Sequence, residues 1–195
     1  MSKSNYKVLT LNTPDIDDFS KARNKLLEKS DSPWVFFLDS DELMSPALKT
    51  EIKRRIDKEK YDGYFVKRKN YFLGKPIGTD KVLRLGKKGK GKWVRRVHET
   101  WEIKGKIGSL TNPITHNSAG SLFDAVAKIN KYSDLHAEAN KKEGKSSNLA
   151  KIILFPKLKF GESILNGRGV VFSILQAFHS FLSWSKLWLT QKNKT

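Results

Sequence analysis

One stretch constrains this chain more than any other. Trp34-Val35-Phe36-Phe37-Leu38 runs without a polar break into Asp39-Ser40-Asp41-Glu42. Large aromatic and aliphatic residues in a run this short read as a buried strand. Alternate residues of an extended chain point the same way, so Asp39 and Asp41 are expected to converge just past the strand end, with Ser40 facing away. In open α/β sheets, ligands bind beyond the carboxyl ends of the strands. Carboxylate oxygens paired there suit a hard cation, Mg²⁺ or Mn²⁺, that keeps positions open for substrate phosphates. The plainer alternative is a solvated acidic turn leading into a helix cap.

The rest of the composition narrows the partners. A chain of 195 residues with 38% hydrophobic and 30% charged residues can bury one core and carry an appendage. It contains no cysteine, so thiolate sites and disulfides are excluded and any metal ligands are oxygens or imidazoles. The formal net charge of +18 implies a polyanionic partner: nucleic acid, an anionic membrane or phosphorylated substrates. The first residues carry no apolar stretch of the signal-peptide kind, so a cytoplasmic start is expected.

Local patterns supply the remaining elements. Residues 7–11 read as a short strand and 20–29 as a helix capped by Asp18 or Ser20. Ser45-Pro46 opens another helix, with Leu48, Ile52 and Ile56 as its apolar stripe. Strands are expected at 64–66 and 81–85, with a bent strand over 70–77 broken at Gly74 and Pro76. The lysine-rich segment 86–92 reads as a hairpin tip, or as a contact for phosphate or lipid headgroups. A long helix spans 121–143, with Leu122, Val126, Ile129, Tyr132 and Leu135 as its expected inner face and Gly144 at its end. Beyond 149 the chain becomes much more apolar. Residues 170–189 are nearly long enough to cross a bilayer, but Gln176, His179, Lys186 and several serines favour an interfacial helix. Its aromatic residues would dip into the headgroup boundary while Lys157, Lys159, Arg168, Lys186 and Lys192 meet anionic lipid. A helical hairpin packed on the domain is the alternative.

Several segments, in order, resemble glycosyltransferase family 2, and most closely its lipopolysaccharide core glycosyltransferases. They are Asp18-Phe19-Ser20-Lys21-Ala22-Arg23-Asn24, the 34–42 strand exit, Asn70-Tyr71-Phe72-Leu73-Gly74-Lys75, Asp80-Lys81-Val82-Leu83-Arg84-Leu85, Val97-His98-Glu99, Pro113-Ile114-Thr115-His116, Lys128-Ile129-Asn130-Lys131-Tyr132-Ser133 and Asn166-Gly167-Arg168-Gly169-Val170. Together they reach from about residue 15 to 190. The resemblance implies a GT-A type, Rossmann-like α/β domain whose first strands, which bind the nucleobase and ribose, precede the point where this chain begins. The expected organisation is a partial GT-A domain over 1–118, a long helix and joint over 119–148, and an amphipathic helical region over 149–195.

The same resemblance implies an inverting transfer of a sugar from a nucleotide-diphosphate donor to a glycan or lipid-linked acceptor, in cell-surface polysaccharide or lipopolysaccharide-type synthesis. Asp41 would hold Mg²⁺ or Mn²⁺ across the diphosphate, and Asp39 would contact the metal or the ribose. Arg23 would sit as a fixed cation near the phosphates, or pair with a carboxylate; Asn24 would bond backbone. Glu99 is the candidate base for the acceptor hydroxyl, and Arg84 the candidate contact for a phosphorylated acceptor. His98 or His116 would complete the metal site. The expected setting is peripheral, on an anionic membrane surface at the inner face of the cell membrane, with no nucleic acid partner. The alternative is a non-catalytic, truncated remnant that serves as a basic membrane- or partner-binding module. A nucleic-acid-binding module would explain the charge but not Asp39 and Asp41.

Overall fold

A computed structural model describes residues 6–11, 18–95 and 99–192. The chain divides into two compact units, one of Met1–Asn70 with Thr79–His116, the other of Tyr71–Gly78 with Asn117–Thr195. The fold is mixed α/β.

The first unit is built on the apolar run, which becomes strand β2 (Trp34–Phe37), buried at every position. It pairs in parallel with β1 (Tyr6–Leu9) on one side and antiparallel with β5 (Lys75–Lys87) on the other. The order continues from β5 through β4 (Gly63–Phe72) and β9 (Ile114–Asn117) to β3 (Glu42–Met44), with β8 (Ile107–Ser109) pairing β4. A separate ribbon joins β6 (Gly91–Val94) to β7 (Thr100–Ile103).

Because strand side chains alternate, β2 serves two cores. Trp34 and Phe36 pack with Leu48, Ile52 and Ile56 of helix α2 (Pro46–Ile56). Val35 and Phe37 face the other way, onto Leu27 of helix α1 (Phe19–Lys29) and the ribbon tryptophans Trp93 and Trp101. Each fully buried phenylalanine contributes about 1.5–3 kcal/mol from removal of apolar surface from water. Both helices begin where their caps dictate. The Asp18 carboxylate accepts from the Lys21 N–H, and the Ser45 hydroxyl from Leu48, with Pro46 in the first turn.

One expectation needs correcting here. The stretch over 70–77 is not one bent strand. The chain reverses at Leu73 and Gly74, whose φ of 48° and 74° lie in the left-handed region, and Pro76 sits near the start of β5, where a missing N–H is tolerated. The lysines after β5 also have a structural task, since Lys88 Nζ donates to the Glu28 and Ser30 carbonyls at the end of α1, where a cation meets the negative end of the helix dipole.

The second unit is helical: α3 (Leu122–Lys142), α4 (Leu149–Leu165) and α5 (Val170–Lys192). Ser121 caps α3, and Gly144, at φ 72°, follows its end. The inner face of α3 differs from the expected stripe. Ala125, Ser133, Ala137 and Asn140 are buried, while Leu122, Val126 and Tyr132 are exposed. Helix α4 runs through Pro156, and no described helix is long and apolar enough to cross a membrane.

Phe37 ties the central strand to the ribbon, so Phe37→Ala should cost about 3–5 kcal/mol. Urea unfolding checks this as a lower midpoint at unchanged m-value.

Candidate functional site

The carboxyl end of β2 delivers Asp39 into a cluster of buried arginines. Arg23 of α1 donates from Nη2 to Asp39 Oδ1 at 2.6 Å and from Nε to Glu99 Oε1 at 3.1 Å. Arg84 of β5 donates from Nη2 to Asp39 Oδ2 at 2.5 Å and to Glu42 Oε1 at 2.6 Å. Glu42 closes the turn by accepting the Asp39 N–H at 3.1 Å. Arg68 of β4 reaches Glu42 at 3.2 Å and grips Asp80 with a two-pronged contact at 3.0 and 2.6 Å. Asn70 then donates to Asp80 Oδ1 at 3.1 Å, and its carbonyl lies 2.8 Å from His116 Nδ1. His116 Nε2 in turn lies 3.5 Å from Asp41 Oδ2. One continuous polar chain thus runs from Glu99 to Asp41, all within the first unit.

Its charges are unequal. Four carboxylates (Glu99, Asp39, Glu42, Asp80) share three guanidinium groups (Arg23, Arg84, Arg68), while Asp41 faces His116, in a chain of net +18. Burial pushes the Asp39 carboxyl up, but Arg84 and Arg23 outweigh it and hold the group below the usual carboxylate range. Asp80 behaves alike: burial raises it, and its bonds and charge pairing with Arg68 bring the net shift down.

Aromatic rings floor the site. Trp93 and Trp101 stack with centroids 5.4 Å apart, and Phe37 meets each edge-on at 5.1 Å. The Arg23 guanidinium lies 4.6 Å from the Trp93 ring centroid. Asn24, the next residue on α1, exchanges two hydrogen bonds of 2.9 Å with the Trp93 backbone, which fixes the helix to the ribbon and realises the backbone role expected of it. A cavity of about 570 Å³ opens between these groups, with Arg23, Asp39, Arg84, Glu99, Trp93 and Trp101 among its lining residues.

Of the residues expected at the site, Arg23, Asp39, Arg84 and Glu99 line one cavity. Among the described contacts, Asp39 faces Arg23 and Arg84, and Asp41 faces His116. His98 lies outside the described residues. Among the described residues, no group of three or more His, Asp or Glu side chains is gathered closely enough to hold a metal ion.

The donor chemistry around Asp41 still fits a cation with two protein ligands. The Asn70 amide nitrogen faces a carboxylate, so its carbonyl faces His116 and receives the Nδ1–H. His116 Nε2 is then left facing Asp41 Oδ2, the arrangement in which a metal-binding histidine is oriented by its other nitrogen.

Sequence reasoning assigned no role to Glu42, Arg68, Asn70 or Asp80. A signal was present in β4: Tyr64 and Val66 are core residues, and Arg68 and Asn70 continue the same face at period two, so the sheet face passes from apolar to charged.

Comparison with known proteins adds the ancestry of this arrangement. The family model "Glycosyl transferase family 2" matches residues 2–120. A "Lipopolysaccharide core biosynthesis glycosyltransferase LpsC" from Rhizobium meliloti (strain 1021) is 28% identical over 178 residues, covering 83% of this chain. The match spans 66% of that relative's length, just under two thirds.

A depressed carboxyl stabilises the fold above its unfolded pKa of about 3.9, and that contribution is lost as pH falls through the lower folded value. Asp39→Asn should therefore lose about 2 kcal/mol at neutral pH. Its stability should also fall less steeply than that of the native chain on acidification below about pH 5. Urea unfolding repeated across that pH range checks both.

Proposed function

The chain belongs to glycosyltransferase family 2, and on that premise we propose that it transfers a sugar from a nucleotide-diphosphate donor to a hydroxyl of a glycan or lipid-linked acceptor, with inversion. The similarity to a lipopolysaccharide core enzyme supports an acceptor of the cell-surface polysaccharide or lipopolysaccharide type. The observation that carries the reading is the single cavity lined by Asp39, Arg23, Glu99 and Arg84, because it gathers acid–base and cationic groups around a space of about 570 Å³.

Glu99 is the candidate base. Its carboxylate is anchored through one oxygen by Arg23, which leaves the other to take the proton of an acceptor hydroxyl. Asp39 has both oxygens engaged by guanidinium groups, so it serves to hold Arg23 and Arg84 in place and to receive sugar or ribose hydroxyls rather than a cation. Arg23 also carries a buried nitrogen, Nη1, with no hydrogen-bond partner among the described residues, a donor suited to a phosphate oxygen. Arg84, on the same wall, is the candidate acceptor contact.

Asp41 and His116 are the residues that would hold Mg²⁺ or Mn²⁺, with the remaining positions left to phosphate and water. Such an ion supplies neutralisation of the charge that develops on the leaving diphosphate. Aromatic walls at Trp93 and Trp101 restrict water around the reacting groups and strengthen the electrostatic contacts nearby.

Two variants separate these roles. With a panel of nucleotide-diphosphate sugars, Asp41→Ala and His116→Ala should each weaken Mn²⁺-dependent donor binding roughly tenfold or more by calorimetry. Glu99→Gln should bind donor normally and lose about 10²–10⁴-fold in transfer rate. Equal Mn²⁺-dependent binding in the native chain and Asp41→Ala would sink the metal assignment, and normal turnover by Glu99→Gln would sink the base.

A further inference from the structure

The second unit is inverted relative to a bundle built for water. A helix at a protein surface normally turns its apolar stripe inward and its polar face outward. Here the buried positions of α5 are Ser173, Ser180 and Ser183 with Leu175 and Leu187, those of α4 are Ser163 and Ile152, and those of α3 are Ala125, Ser133, Ala137 and Asn140. Ser173 donates to Ser163 across the α4–α5 hairpin at 2.8 Å. The outer faces are apolar. On α4, Leu154, Leu158 and Leu165 recur at helical spacing with exposures of 53%, 65% and 88%. On α5, Val170, Ile174, Phe178, Phe181 and Leu189 do the same. Of the large hydrophobic side chains exposed among the described residues, all but Val8, Leu43 and Ile107 belong to this unit.

Small and hydroxyl-bearing residues inside, with large aliphatic and aromatic residues outside, is the packing that helices adopt when their surroundings are as apolar as leucine. No described helix can span a bilayer, so the apolar surface fits one leaflet only. The charge agrees, because residues 149–192 carry six lysines and arginines against one carboxylate, Glu162. Arg168 and Lys75 line a cavity of about 430 Å³ whose other walls include Phe72, Ile77 and Val171, so cations border apolar surface there. Lys186, by contrast, is committed within the unit, to Asp134 at 2.8 Å and to Asn130 and Ser133.

We propose that the second unit docks into one leaflet of an anionic bilayer, with the outer faces of α4 and α5 among the acyl chains and Lys157 and Arg168 at the headgroups. This stands whether or not the first unit transfers a sugar. A second copy of the chain is the competing occupant, but a stripe punctuated by lysines meets like charge across a dimer and opposite charge at an anionic surface.

The chain lacks cysteine, so single labels are unambiguous. Leu158→Cys and Ile174→Cys, each carrying an environment-sensitive dye, should blue-shift on mixing the full chain with phosphatidylcholine–phosphatidylglycerol vesicles. Glu138→Cys, on the exposed polar side of α3, should not. Flotation should be strong with the anionic vesicles, weak with phosphatidylcholine alone, and reduced by salt. The double variant Leu158→Glu and Ile174→Glu should lose roughly tenfold or more in partitioning, with its far-UV circular dichroism unchanged because both positions are already in contact with solvent. An absence of dye shift and of flotation overturns the proposal. So does a lipid-free dimer that blue-shifts both dyes and no longer binds vesicles.

Discussion

Asp39 is held between two buried guanidinium groups, and most of the first unit can be understood as the means of holding it there. Strand β2 carries the residue to the edge of the core, α1 brings Arg23 from one side, and β5 brings Arg84 from the other. Arginine suits both positions better than lysine would. A planar fork can satisfy two acceptors at fixed angles, and it remains charged when buried. Removing either partner would leave an uncompensated charge in a region of low dielectric, so the cluster demands that all its members arrive together.

That demand reaches a long way along the chain. Glu42, Asp80 and His116 come from three different strands and Glu99 from the segment before β7, yet Arg23, Arg84, Arg68 and Asn70 link them into one network. The sheet register does part of the aligning, since Glu42 of β3 lies opposite His116 of β9. The aromatic floor does the rest, because the stacked tryptophans and Phe37 leave Arg23 little freedom to move. A site of this kind is preorganised: its dipoles and charges are already in position before a substrate arrives, which is the condition for electrostatic stabilisation of developing charge.

The second unit follows the opposite solvent logic. In the first unit, aromatic and aliphatic residues fill two cores, and the buried charges Arg23, Arg84 and Glu42 are paired with one another or with Asp39 and Glu99. In the second, the buried cluster of Phe72, Ala119, Ala125 and Leu175 is small, and much of the apolar surface is turned out. The hydrophobic effect penalises that arrangement in water. Phe155 against Trp184, and Ser147 bonded to the Trp184 carbonyl, show that the hairpin is nonetheless closed on itself by specific contacts.

Local rules were enough for much of this. The unbroken run from Trp34 to Leu38 dictated a buried strand, and Asp18, Ser45 and Ser121 announced their helices, because capping and burial patterns act over a few residues. The family resemblance singled out Asp39, Arg23, Arg84 and Glu99, which the fold gathers around one cavity. What the sequence could not settle was who pairs with whom. Alternation on a strand placed Asp39 and Asp41 together, whereas long-range arginines and His116 drew them to separate partners. It also could not tell which stripe of a helix faces inward when nearly every stripe is apolar or small; in α3 the neighbouring helices selected alanine, serine and asparagine over leucine and valine. Ion pairing and helix packing are contests between residues far apart in the chain, and only the folded arrangement supplies the distances that decide them.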